Sequence, residues 1–162
     1  MPIILGVDSS ITATGLARLC VAGPEDTQQA IENGYLLTNE PPYPYWPALA
    51  TVRAPRAAKG DTSARTTSKR ISHVVDGIEA AILDGRDGGM WFKPDLIALE
   101  ELPYGAKGAA KTKLDWLWGR VVDLAVKHEI PLLLVNVSAI KKFATGNGNA
   151  SKDEVMLAMV NR

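Results

Sequence analysis

The first eight residues restrict the fold of this chain more than any other stretch. An apolar run over residues 3–7 is typical of a buried strand, and it ends directly at Asp8. A small polar turn follows, and the alternating segment 15–20 predicts a second strand that returns beside the first. A carboxylate at the end of a buried strand is costly unless a metal ion, backbone N–H groups or a basic partner compensates it. The alternative is an ordinary turn-forming Asp.

A second predicted strand, residues 94–100, contains the apolar run 96–99 and ends in the same way at Glu100. If the two strands are parallel neighbours, their carboxyl ends meet at one edge of the sheet, where sites in open sheets usually form. We therefore expect Asp8 and Glu100 to lie together.

Helical periodicity predicts two long helices. The first covers residues 62–83 with one apolar stripe, and the second runs to about residue 128. Trp116 and Trp118 cannot both lie on the stripe of the second helix, which therefore has a second apolar face suited to a dimer contact. The stripe residues are Ile71, Val74, Val75, Ile78 and Ile82 in the first helix and Leu114, Leu117, Val121, Leu124 and Ala125 in the second.

The remaining elements are shorter. Residues 33–38 and 49–53 predict strands, and the proline-rich and aromatic stretch 39–48 between them predicts a loop insertion. The continuous apolar run 130–136 is typical of a strand covered on both sides. Ser138 can cap a short helix, and a final helix follows Ser151, with three predicted buried positions: Val155, Met159 and Val160. Together these elements predict an α/β fold, a mixed sheet flanked by helices, as a single domain over residues 1–162.

Composition excludes several classes of protein. With 46% apolar and 22% charged residues, the chain is typical of a globular protein rather than a disordered or fibrous one. The single cysteine, Cys20, cannot form an intramolecular disulfide, which favours the reducing cytoplasm. No basic signal-peptide region or membrane-length apolar run is visible, so we expect a cytoplasmic protein without a membrane contact.

The formal net charge is zero, but basic residues cluster. Residues 53–73 contain six Lys and Arg side chains against the one acid Asp61, and further lysines follow at 107–113 and 141–152. Basic stripes around a carboxylate site suit a polyanionic ligand. The alternative is a solvated basic surface.

Three segments together carry a resemblance to a known family. They are residues 4–10 with Thr14-Gly15, residues 94–100, and residues 137–159. In these segments the chain resembles RuvC-type Holliday-junction resolvases, which have the ribonuclease-H-like fold. The resemblance implies a homodimer that recognises branched DNA, especially four-way junctions, and nicks two strands symmetrically. The helix after Glu100 corresponds to the dimer helix of the family.

The resemblance also implies roles for individual residues. Asp8 and Glu100 would be catalytic and would bind metal, with two Mg²⁺ ions that Mn²⁺ can replace. Lys152 would act at the scissile phosphate, and Lys141 and Lys107 would bind DNA. Lys152 also precedes a predicted helix, whose N–H groups suit a phosphate, although an ordinary exposed lysine is the alternative. The family places an aromatic residue on the loop after the glutamate; here Pro103 takes that place and Tyr104, the predicted DNA-binding residue, stands next to it.

One departure concerns the metal site itself. The family completes it with acids in a further helix, and this sequence lacks one, so we expect the natural protein to be longer. Asp153 and Glu154 could substitute, but the Ser151–Glu154 spacing favours a capping box. A non-catalytic junction-binding module is therefore the alternative function. The Asp-Ser-Ser turn also resembles the phosphate loop of actin-like kinases, but 162 residues leave no room for their second domain.

Overall fold

A computed structural model describes residues 2–21, 45–83, 93–102 and 108–160 of the chain. Within these residues, five strands form one mixed sheet and four helices pack around it. The strands are β1 (Ile3–Asp8), β2 (Ala13–Val21), β3 (Tyr45–Arg53), β4 (Leu96–Glu100) and β5 (Leu132–Val135). The helices are α1 (Ala64–Leu83), α2 (Ala109–Lys127), α3 (Val137–Thr145) and α4 (Lys152–Val160). None of these helices is long and apolar enough to cross a membrane.

The strand order is β3-β2-β1-β4-β5, with β1 at the centre. β1 pairs antiparallel with β2 and parallel with β4, and β4 pairs parallel with β5. The carboxyl ends of β1, β4 and β5 therefore lie at one edge of the sheet. The predicted mixed sheet and the predicted parallel pairing of the two acid-ending strands are both confirmed.

The core lies between one face of the sheet and the helices α1 and α2. In β1 and β4, every second residue is buried, because side chains alternate between the two faces of a strand. The predicted α1 stripe is buried throughout, and in α2 the buried residues are Leu117, Val121, Leu124 and Ala125. The core residues of the two strands are Leu5, Val7, Ile97 and Leu99.

A close contact joins α1 to β3 at Gly77. A Cβ atom added there would lie 2.5 Å from Val52 Cγ1, which is closer than real side chains approach. We expect Gly77→Ala to destabilise the protein, since the overpacking cost of about 1–3 kcal/mol exceeds the gain in helix propensity of about 1 kcal/mol. In a Val52→Ala background the same substitution should cost much less, because only the Val52 Cβ atom, 3.3 Å away, remains close to the new side chain. Urea unfolding of wild type, the two single variants and the double variant tests this. If Gly77→Ala changes the free energy of unfolding equally in both backgrounds, the clash with Val52 is ruled out.

Asp61 organises the start of α1. Its carboxylate accepts hydrogen bonds from Ser63 N at 2.9 Å and Thr66 Oγ1 at 2.6 Å, and these bonds lower the pKa of Asp61 to about 2. Because the folded-state pKa lies below the ordinary value of 3.8, the stabilisation is present above that pH and is lost as pH falls toward 2. Asp61→Asn should therefore be less stable than wild type at pH 6, with the difference shrinking between about pH 4 and 2. Thermal unfolding of both proteins across this pH range measures the difference in stability. A difference that does not change with pH would contradict the role given to the Asp61 carboxylate.

Two expectations about the strands need correction, and a third is not tested by the described residues. β3 begins at Tyr45, so residues 45–48 are strand rather than loop. Pro47 has no N–H to donate to a neighbouring strand, and it is tolerated because β3 is the outermost strand on its side of the described sheet. β5 is not covered on both sides, since Leu133 and Leu134 are 50% and 44% exposed. The strand predicted at 33–38 lies outside the described residues.

The final helix also differs from expectation. α4 contains no buried residue, and Met159 and Val160 are 55% and 83% exposed. Its capping box is present: Glu154 Oε2 accepts from Ser151 N at 2.6 Å, and Ser151 Oγ accepts from Glu154 N at 3.2 Å. The local helix signal was therefore correct, while the burial inferred from its apolar residues was wrong, because no described element covers them.

Candidate active site

Strand alternation and register bring Asp8 and Glu100 to the same place. β1 and β4 pair in register through Val7 and Leu99, so the next residues, Asp8 and Glu100, stand side by side at the end of the strands. Val7 and Leu99 point into the core, and the two acids therefore lie on the opposite face. The predicted meeting of the two carboxylates is thus present in the structure, whereas their catalytic role stays a prediction.

The two carboxylates interact directly. The pKa of Glu100 is raised, first by burial, then by the negative charge of Asp8 and by a hydrogen bond with the Asp8 side chain. Two neighbouring carboxyl groups cannot both ionise easily unless a cation compensates them. A divalent cation between them would favour the ionised form of both groups.

The donor set suits a hard divalent cation. No group of three or more His, Cys, Asp or Glu side chains that could hold a metal occurs among the described residues, so Asp8 and Glu100 are the ligands these residues offer. Mg²⁺ usually keeps several waters and is bound by one or two carboxylates together with substrate phosphates. The pair therefore fits Mg²⁺ or Mn²⁺ better than zinc.

The turn after Asp8 is held by a compact hydrogen-bond network. Ser10 Oγ accepts from the backbone N–H groups of Thr12 and Ala13, and Thr14 Oγ1 donates to Ser10 O at 2.7 Å. Gly15 pairs with Asp8 across the ladder, and a Cβ atom there would lie 3.9 Å from Asp8 Oδ2. The small residue leaves the space beside the carboxylate open.

Two residues near Glu100 escaped the sequence interpretation. Trp118 Nε1 donates to the Glu100 carbonyl oxygen at 3.1 Å, so α2 supports the end of β4. Ser9 Oγ is buried without a hydrogen-bond partner among the described residues, and it lines a small cavity with Glu100 and Trp118. Trp118 lies four residues after Leu114 and three before Val121, so the spacing indicated that it faces the core, although not that it contacts Glu100. Nothing in the sequence signalled the position of Ser9.

Glu101, the next residue after Glu100, is exposed and has a hydrogen-bond partner of its own. Its Oε2 accepts from Asn136 Nδ2 at 3.0 Å, and its backbone N–H donates to Val135 O at 3.0 Å. Asn136 also caps α3 by accepting from Ser138 N and Ala139 N. The predicted Ser138 cap is therefore wrong, because the helix begins at Val137 and its cap, Asn136, lies two residues before Ser138.

The residues predicted to contact DNA fall into two groups, one within the described residues and one outside them. Lys141 and Lys152 lie on α3 and at the first position of α4, and the loop between these helices returns to Ser138 at the start of α3. Since α3 starts at the carboxyl end of β5, both helix starts lie at the edge that carries Asp8 and Glu100. Glu154 lies close enough to Lys141 to feel its charge, and it already occupies the start of α4 as a cap. Tyr104 and Lys107 lie outside the described residues.

Comparisons with known proteins identify relatives of the whole chain. No family model matches it. The crossover junction endodeoxyribonuclease RuvC of Tolumonas auensis is 29% identical over 157 residues, which cover 96% of this chain and 70% of the relative. RuvC of Haemophilus ducreyi is 26% identical over 157 residues, 96% of this chain and 64% of the relative. RuvC of Chloroherpeton thalassium is 29% identical over 87 residues, and there the match spans less than half of the relative, 43%.

Solved structures agree with the sequence relatives. Thermus thermophilus RuvC superposes with a TM-score of 0.61 and 18% identity, covering 98% of this chain and 77% of that one. The same protein in complex with Holliday junction substrate gives a TM-score of 0.59, 18% identity, and coverage of 99% and 79%. The predicted resemblance and the predicted fold are both confirmed: the chain is similar in sequence to RuvC proteins and shares the ribonuclease-H-like fold of the Thermus protein.

Proposed function

We propose that this chain is a metal-dependent endonuclease that nicks four-way DNA junctions in recombination and repair. The observation that carries the proposal is the meeting of Asp8 and Glu100 at the carboxyl edge of β1 and β4. The names of the relatives, crossover junction endodeoxyribonuclease, and the Thermus complex with a Holliday junction support the substrate class.

The site's own residues have defined tasks in this reaction. Asp8 and Glu100 bind the cation and orient it at the sheet edge, and Lys152 and Lys141 offer positive charge to the scissile phosphate. When bound, divalent ions, two in our proposal, would supply an activated water and would neutralise the charge that develops on the phosphate and the leaving oxygen. Tyr104 would stack on bases at the opened junction, and Lys107 would contact the backbone. We also infer that the protein acts in the cytoplasm.

A homodimer through α2 completes the proposal, because symmetric nicking needs two sites. Trp116 is 40% exposed and Val126 is 73% exposed on this helix, although its stripe is buried in the core. This exposed apolar face gives a second copy a surface to bind. Analytical sedimentation of wild type and Trp116→Lys measures the oligomeric state, and we expect the variant to shift toward monomer. A variant that stays dimeric would show that Trp116 of α2 is not part of the dimer interface.

A second candidate function is a junction-binding module without catalysis. It is favoured by the finding that the described residues bring only two carboxylates together, with no third metal-ligating side chain beside them. Glu154, which the sequence offered as a substitute for the missing acids, instead caps α4 by accepting a hydrogen bond from Ser151 N.

A labelled four-way junction separates the two functions. We expect Mg²⁺- or Mn²⁺-dependent nicks at symmetric positions, with little cutting of a linear duplex of the same sequence. Salt-sensitive binding without nicking at any metal concentration would favour the binding module. Absence of both binding and nicking would exclude both candidates.

A further inference from the structure

The segment of residues 53–70, here called the basic segment, carries charge that the active site does not use. It contains six Lys and Arg residues and the one acid Asp61. Asp61 is held by Ser63 and Thr66 rather than by a cation. The segment therefore presents a net positive surface whose own acid is already committed to the start of α1.

The cations of the basic segment divide into one structural residue and five exposed ones. Arg70 Nε donates to Pro55 O at 3.0 Å and its Nη2 to Ile11 O at 3.4 Å, so Arg70 fastens the segment to the turn after β1. The ion pairs found among the described residues involve none of the other five. These exposed side chains are Arg53, Arg56, Lys59, Arg65 and Lys69.

The fold places the basic segment at the same edge as the carboxylates. Arg53 ends β3 opposite Ala13, two positions beyond Gly15, which itself pairs with Asp8. Ala54 N then donates to Thr12 O at 3.2 Å, which holds the start of the segment against the β1–β2 turn. β3 is two strands from β1, so at about 4.8 Å per strand the segment begins roughly 10 Å from the Asp8 position.

Further along, the cations continue on one side of α1. Arg65 and Lys69 are four residues apart, so they lie on the same helix face, and both are exposed. Lys59 precedes Gly60, whose φ of +82° closes a tight turn ahead of the helix. The cations thus extend away from the site as a strip rather than forming a single point of charge.

We propose that the basic segment binds the phosphate backbone of the duplex arm that carries the nicked strand. This inference rests on the proposed function, which puts a DNA strand at Asp8 and Glu100. A duplex leaving that site carries about one phosphate per 3.4 Å of axis on each strand, so an arm directed toward β3 reaches the segment within about three base pairs. An uncompensated strip of Lys and Arg suits such a regular line of phosphates, and it positions the arm without reading its sequence.

Paired substitutions test the proposal in full-length protein. The test variant is Arg56→Gln with Lys59→Gln, two exposed residues without a described ion pair. The matched control is Lys93→Gln with Lys127→Gln, which removes the same charge. Lys93 precedes β4 and Lys127 ends α2, both at the opposite end of the sheet from the carboxylates. The unfolding midpoint of the test variant should equal that of wild type, and that of the control should fall only slightly, because Lys127 loses an exposed ion pair with Glu79.

The main measurement is the salt dependence of binding to a four-way junction without divalent metal. Each phosphate contact contributes about 0.9 to the slope of log binding constant against log salt, so the test variant should show a slope shallower by about 1–2, and the control an unchanged slope. With saturating protein and Mg²⁺, the test variant should still nick the junction, because Asp8 and Glu100 are untouched.

The outcomes separate this inference from the proposed function. Wild type that binds and nicks junctions, with a test variant of unchanged salt slope, would overturn the role of the basic segment alone. If the salt slope became equally shallow in the test and control variants, the role of the basic segment would also be overturned, since binding would then depend only on the total charge of the protein. A wild type that neither binds nor nicks junctions would instead remove the proposed function.

Discussion

Asp8→Asn will abolish metal-dependent nicking of four-way junctions and leave junction binding intact. The amide has the shape of the carboxylate but no charge, so it cannot compensate a divalent cation beside Glu100. Metal ions contribute several kcal/mol to such reactions, and each 1.4 kcal/mol is a factor of ten in rate. We therefore expect the single-turnover rate to fall by about a thousandfold or more. Nicking of a labelled junction by saturating protein with Mg²⁺ measures the rate, and fluorescence anisotropy without metal measures the binding.

The controls for this prediction come from the same chain. Asp76→Asn makes the identical chemical change at an exposed position of α1 and should nick like wild type. Glu101→Gln tests the neighbour of Glu100, whose carboxylate turns to Asn136, and should also remain active. Equal cutting by wild type and Asp8→Asn would refute the assignment of Asp8. A variant that loses binding together with nicking would point to a structural role instead.

Ile78→Ala will cause the largest loss of stability among the single substitutions considered. Ile78 is fully buried in α1, where it belongs to the core between the helix and the sheet. Truncation removes buried apolar surface and leaves a cavity, which costs about 2–5 kcal/mol. Since domains of this size are stable by only about 5–15 kcal/mol, the midpoint of urea unfolding should fall strongly with an unchanged m-value.

A helix residue on the surface provides the comparison. Leu83 at the end of α1 is 64% exposed, and Leu83→Ala should change stability by less than about 0.5 kcal/mol. Comparable losses in the two variants would mean that Ile78 does not lie in a close-packed core. A changed m-value for Ile78→Ala would indicate that two-state analysis no longer applies.

The placement of the two acids shows how far sequence reasoning reaches in this protein. Two apolar runs that end in Asp8 and Glu100 predicted strands, and the periodicity of two in a strand then determines which face each acid occupies. The two apolar runs could not predict the register in which β1 and β4 pair. The pairing of Val7 with Leu99 is a long-range contact, and a slip of one residue would have sent one acid to the other face.

The carboxyl-terminal third shows where local signals fail. The capping box at Ser151 and Glu154 depends on residues three apart, and it was predicted correctly. Burial of Met159 and Leu134 depends on what packs above them, and both are about half exposed among the described residues. Apolar composition indicates that a surface could be buried, but it does not identify the element that buries it.

By itself, the sequence determined the local elements: the strands that end in acids, the stripes of α1 and α2, the cap of α4 and the basic segment. These depend on residues a few positions apart, whose spacing is set by the geometry of one helix or strand. Only the tertiary structure decided that Asp8 lies beside Glu100, that Trp118 supports the end of β4, and that the basic segment begins at the carboxylate edge. Those contacts join residues far apart in the chain, and they exist only because the sheet order places β1 between β2 and β4.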